Sequence, residues 1–146
     1  MMNVSFFARG DELQSVLKKK LSLFLALHVL VFSLIPLMRA CLPMDTLEAL
    51  IWGGYWEFGT NKHPFLSGFV ALPFYKALFE SDFSMYLLSQ ICVAGGLIYL
   101  YKLAKRFVSK ENAVLSVMLM EGVAYYNALS VEYNVNVLSL VFWPAT

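Results

Sequence analysis

Leu21–Leu37 reads LSLFLALHVLVFSLIPL. Apart from His28 and two serines it carries no polar side chain, and Arg39 follows just beyond it. With its flank it reaches the roughly 20 residues a helix needs to cross a bilayer. The run begins directly after Lys18-Lys19-Lys20, is long, and is closed by no small-residue cleavage site, so it reads as a retained span rather than a signal peptide.

Working outward, residues 1–20 form a polar, basic leader and residues 21–39 the first span. Residues 83–101 hold no charge and form a second span, followed at once by Lys102, Lys105, Arg106 and Lys110 in a loop over 102–112. Residues 113–131 form a third span, interrupted by Glu121. Residues 134–146 begin a fourth apolar run that stops short of a full crossing. The fold class expected is therefore all-α and integral to the membrane, with three to four transmembrane helices in a single membrane domain, 1–146.

Composition agrees. The chain of 146 residues is 60% hydrophobic and 14% charged, against about half apolar in an ordinary soluble domain. Its net charge of +1 shows no basic face of the kind that binds nucleic acid. Cys41 and Cys92 make neither a disulfide framework nor a metal spacing and read as packing residues. The two basic clusters predict cytoplasmic ends for 18–20 and 102–110 by the positive-inside rule. The N-terminus is then cytoplasmic, and the 40–82 segment and the Tyr125–Asn136 turn face outward.

The 40–82 loop is too charged to span and too apolar to be free. Leu47, Leu50, Ile51, Tyr55 and Phe58 recur at helical spacing, as do Phe65, Phe69, Leu72 and Phe79, with Pro73 as a kink and Gly59-Thr60-Asn61 as a turn between them. Both stretches predict amphipathic helices lying in the membrane interface. Trp52, Tyr55, Trp56 and Phe58 suit an interfacial aromatic belt or a platform for sugar rings.

Several residues can carry chemistry. Asp45 and Glu48 have the spacing of a capping box that starts a helix, and equally that of two carboxylates at the water boundary, one a general base. Lys62 and His63 suit either a phosphate clamp or lipid head groups. Glu121, ionisable inside a span, defaults to a functional role or is neutral and bonded to another helix. Asn134 and Asn136 suit sugar or phosphate contacts, or the cap of the next helix. His28 reads as a packing histidine with no obvious partner at its depth.

The run Asp45-Thr-Leu-Glu48-Ala-Leu-Ile-Trp52-Gly-Gly-Tyr-Trp56-Glu-Phe-Gly59-Thr-Asn-Lys62-His63-Pro64-Phe65-Leu66 resembles the first outer loop of bacterial polyprenyl-phosphate-sugar glycosyltransferases. These are GT-C membrane enzymes related to protein mannosyltransferases (glycosyltransferase family 39). Leu119-Met-Glu121-Gly122, Tyr125-Tyr126, and Glu132-Tyr133-Asn134-Val-Asn136 with Trp143-Pro144 are similar to the family's later signature, in the same order. Phe65 departs from the family's usual second proline. The likeness is to the N-terminal part of such an enzyme, the chain ending inside its fourth span.

The resemblance implies transfer of a sugar from a polyprenyl-phosphate donor to a glycan, lipid or protein acceptor at the outer face of the bacterial inner membrane. Asp45 would deprotonate the acceptor, and Glu48 would orient it or help a divalent metal. Lys62 and His63 would meet the leaving phosphate, with Glu121, Asn134 and Asn136 as further substrate contacts. No cofactor is otherwise implied. The alternatives are a non-catalytic remnant or membrane interaction subunit of the same fold, and a small channel or transporter subunit using Glu121 and His28 as a polar path.

Overall fold

The computed structural model describes residues 4–55, 58, 62 and 64–146, with side chains from residue 12 onward. The described residues form helices and no strand: α1 (Val4–Leu34), α2 (Met44–Tyr55), α3 (Leu66–Ala77), α4 (Asp82–Ala104), α5 (Lys110–Leu119) and α6 (Val135–Phe142), with short 3-10 turns and irregular links between them. The chain is an all-α membrane protein.

Two helical segments are long and apolar enough to cross a bilayer, Glu12–Met38 and Asp82–Ala104. At 27 and 23 residues they are roughly 40 and 35 Å long at 1.5 Å per residue, more than the hydrocarbon thickness of about 30 Å. α1 passes through Lys18–Lys20 without a break and ends where Pro36 enters a 3-10 turn, Ile35–Met38. Pro36 brings no backbone N–H to continue the α-helical ladder.

The third apolar stretch is broken. Lys110–Gly122 and Ala124–Val131 meet at 93°, so the interruption expected at Glu121 is a sharp turn of the chain. Counted as one span, the pair makes a third crossing. Val135–Ala145 is shorter than a crossing.

α1 and α4 run antiparallel. Lys18 of α1, Lys105 beyond α4 and Lys110 of α5 line one small hollow, so the basic clusters share one end of the molecule. The core is built around α4, where Met85, Tyr86, Val93 and Leu97 are almost wholly buried. α6 crosses α4 at Gly96, where an added methyl would come within 2.6 Å of the Leu140 carbonyl oxygen. Close helix approach through small residues is how membrane helices gain contact when lipid is as apolar as they are.

α2 and α3 pair with each other in the segment between the two long helices. Their buried faces are small: Thr46, Ala49 and Gly53 on one, Ser67, Gly68 and Ala71 on the other. The large residues whose spacing marks the helix, Leu47, Ile51 and Tyr55, face outward and are exposed. The apolar stripe is therefore free for lipid, and the helix–helix seam lies on the other side. The turn expected at Gly59-Thr60-Asn61 lies outside the described residues. α3 ends through Phe79 and Glu80, both left-handed at φ 60° and 56°. The Glu80 N–H bonds back to the Tyr75 carbonyl at 2.9 Å, which closes the helix end.

Candidate functional site

The site grows from the first turn of α2. Pro43 precedes the helix, and its carbonyl accepts from the Leu47 N–H at 3.1 Å. Asp45 accordingly sits inside the first turn rather than at the cap, which corrects the capping-box expectation. The capping role is filled from elsewhere in the chain. The Asp45 N–H donates to Glu132 Oε1 at 3.2 Å, so a carboxylate 87 residues away meets an unsatisfied donor at the positive end of the helix.

The next residue doubles the link. Thr46 Oγ1 donates to the Tyr133 carbonyl at 3.0 Å, and the Tyr133 hydroxyl donates to the Ser67 carbonyl at 3.1 Å. Residues 132–133 thus pin α2 and α3 together. Burial pushes the pKa of the Tyr133 phenol up, so it remains a protonated donor. Glu132, Thr46 and Tyr133 were not among the expected site residues. The only sequence signal was an acid opening the Tyr-Asn-Val-Asn block.

Asp45 and Glu48 are three apart and share a face of α2. Among the described residues the Asp45 carboxylate meets no hydrogen-bond donor and forms no ion pair. Glu48 is engaged: Lys62 Nζ lies 2.6 Å from Glu48 Oε2, and 6.0 Å from the centre of the Trp52 ring one turn on. The hydrogen bond to Glu48 holds the Lys62 ammonium above its ordinary pKa, with the nearby charges of Glu48 and Asp45 acting the same way. Lys62 therefore stays cationic throughout the neutral range. His63 lies outside the described residues. Beyond it, Phe58, Phe65 and Phe69 form a ring cluster with centroids 5.2–5.8 Å apart.

Asn134 caps α6, its Oδ1 accepting from the Asn136 and Val137 N–H groups at 3.0 and 3.1 Å. Asn136 is exposed in the first turn of α6. Glu121 is drawn elsewhere: its Oε2 lies 2.9 Å from His28 Nδ1. His28 therefore has a partner 93 residues away, contrary to its reading as an isolated packing residue, and Gln90 of α4 is a second.

Next to the start of α2, Arg39, Leu42, Pro43 and Leu47 line an open, largely apolar hollow of about 550 Å³. Among the described residues no three histidine, cysteine, aspartate or glutamate side chains gather as metal ligands. The arrangement offers a free carboxylate, a cation held beside a second carboxylate, and an apolar hollow with an arginine at its rim.

A family model described as dolichyl-phosphate-mannose-protein mannosyltransferase matches residues 62–146. The matched stretch contains Lys62, His63, Glu121, Asn134 and Asn136, while Asp45 and Glu48 precede it. No curated protein and no solved structure matches the chain.

Proposed function

The chain belongs to the dolichyl-phosphate-mannose-protein mannosyltransferase family, and from that premise we propose that it works on a polyprenyl-phosphate-linked sugar at the outer face of a bacterial inner membrane. The family match supports a membrane glycosyltransferase with a lipid-linked donor. One observation supports the choice of residues: of the two carboxylates on the first turns of α2, Glu48 holds a cation while Asp45 has no side-chain partner among the described residues.

In this reading Asp45 takes the proton of an acceptor hydroxyl, whose oxygen attacks the anomeric carbon of the donor sugar. The bond from that carbon to the phosphate oxygen breaks, inverting the centre, and the lipid phosphate leaves with the electron pair. Lys62 and His63 meet its charge. The Lys62–Glu48 pair is no obstacle, because an exposed ion pair is worth only about 0–1 kcal/mol and a phosphate dianion competes well for the ammonium. The hollow beside Arg39 suits the first isoprene units, with the guanidinium near the phosphate. Asn134 and Asn136 stand next to the Glu132–Tyr133 link, where their amides can meet sugar hydroxyls.

The test is binding of polyprenyl phosphate to the chain in nanodiscs, read by native mass spectrometry. The wild type is expected to retain the lipid, and the Lys62→Ala, His63→Ala pair to weaken it by about tenfold, the equivalent of roughly 1.4 kcal/mol. Equal retention by both would remove these residues from the phosphate site.

Orientation is checked separately. In a Cys41→Ser, Cys92→Ser background, Pro64→Cys is expected to react with a membrane-impermeant maleimide in intact spheroplasts. Lys105→Cys should react only after lysis. The opposite pattern would place the N-terminus outside.

A further inference from the structure

The membrane interior holds a polar cluster that the proposed chemistry does not use. His28 of α1 is 4% exposed and Gln90 of α4 fully buried. His28 follows Lys20 by eight residues, Gln90 precedes Lys102 by twelve, and Glu121 follows Lys110 by eleven. At 1.5 Å per residue all three lie about 12–18 Å from the basic end, well inside a bilayer core. Phe32 and Phe24, one turn to either side, stand over the imidazole with centroids 4.9 and 6.4 Å away.

The hydrogens of this cluster can be counted. The Ser130 carbonyl can only accept, and Gln90 Nε2 donates to it at 3.2 Å alongside the Ser89 hydroxyl. The Gln90 amide nitrogen is thereby oriented toward Ser130 and its oxygen toward His28 Nε2, 3.0 Å away. An amide oxygen only accepts, so Nε2 carries a hydrogen. The other ring nitrogen faces Glu121 Oε2 at 2.9 Å, and one hydrogen lies between them. Imidazolium with carboxylate and imidazole with carboxylic acid both satisfy this, and both are neutral as a pair. A second charge of either sign would be buried in lipid.

The cluster is coupled to the outer site by the chain itself. The Asn127 side-chain amide donates to the Glu121 carbonyl, and the Ser130 hydroxyl donates to the Asn127 carbonyl at 2.8 Å. Residues 121–130 are thus folded on themselves and held at both ends, by His28 at one and by Ser89 and Gln90 at the other. Two residues after Ser130, Glu132 receives the Asp45 N–H, and then Tyr133 receives the Thr46 hydroxyl.

We propose that His28, Gln90 and Glu121 are positioning residues, a one-hydrogen contact inside the membrane that seats the first turn of α2 through the 121–133 strap. The seating stands on geometry alone; its consequence for sugar transfer rests on the role given to Asp45 above.

The experiment is amide hydrogen exchange on the chain in nanodiscs, comparing residues 44–48 with the α4 core at 93–101. Glu121→Gln should stay within twofold of wild type, because its amide supplies the hydrogen to Nδ1. Glu121→Ala should speed exchange at 44–48 by tenfold or more and leave 93–101 unchanged. Gln90→Glu should do the same, since it takes the donor from Ser130 and adds a carboxylate. Unchanged exchange at 44–48 in Glu121→Ala overturns the seating. An equal rise across the whole chain overturns positioning in favour of plain stability, and Glu121→Gln behaving as Glu121→Ala overturns the hydrogen count. In an active preparation, Glu121→Ala should lower kcat with little change in KM, restored in Glu121→Gln. Altered exchange with normal kcat would leave the seating intact and refute the catalytic reading of Asp45.

Discussion

Asp45→Asn is expected to lower sugar transfer by about 10²–10⁴-fold, the range over which a positioned general base contributes, while the protein still enters the membrane in normal amount. The substitution nearly preserves shape. The Asp45 backbone N–H still meets Glu132, and Thr46 still meets Tyr133, so the first turn of α2 keeps its two long-range ties. What is lost is the charge that can take a proton. The carboxylate also lies in the first turn of α2, where the helix dipole favours a negative group by about 0.3–1 kcal/mol. Any loss of stability should remain within that range. The measurement is incorporation of labelled sugar from a polyprenyl-phosphate donor by membranes carrying wild type or variant, normalised to inserted protein. Turnover within twofold of wild type would take Asp45 out of the base role.

Gly68→Val is expected to separate α2 from α3. A methyl group at Gly68 would lie 2.7 Å from the Gly53 backbone nitrogen and 3.0 Å from the Ala49 carbonyl oxygen. A methyl at Gly53 would in turn strike the Gly68 carbonyl and lie 2.8 Å from Leu72 Cβ. Most of these neighbours are backbone, so no flexible side chain can swing aside. Overpacking typically costs about 1–3 kcal/mol, and the branched valine at a backbone–backbone contact belongs at the upper end. Gly54 supplies the control. It has nothing within 4 Å of an added methyl, and Gly54→Ala should stabilise α2 by about 0.5–1 kcal/mol through helix propensity alone. Amide exchange across 44–55 reads both. Faster exchange in Gly68→Val and slower exchange in Gly54→Ala are expected, and no difference between the two variants would mean that the seam is not tightly packed.

The same pair of glycines shows where the sequence misleads. Along α2 the eye follows Leu47, Ile51 and Tyr55, whose spacing correctly announces a helix. Hydrophobic periodicity marks the face that avoids water, and in a membrane protein lipid satisfies that face as well as protein does. The seam instead runs through Thr46, Ala49 and Gly53, residues with little hydropathy to signal them. At the site, Asp45, Glu48, Lys62 and Asn134 were all visible as chemistry-bearing residues. Their engagement was not: Lys62 is held by Glu48, and Asn134 caps α6.

By itself the sequence determined the all-helical membrane class, with helices long and apolar enough to cross. A bilayer crossing is a local property, because about 20 apolar residues satisfy their own backbone hydrogen bonds wherever they occur in the chain. Only the tertiary structure decided that His28 meets Glu121 and Gln90, 93 and 62 residues away, and that Glu132 caps α2. Those contacts join polar groups from separate helices. Each is required because a lone polar group in lipid is costly, but which partner answers it depends on how the helices pack, and no spacing within one segment encodes that.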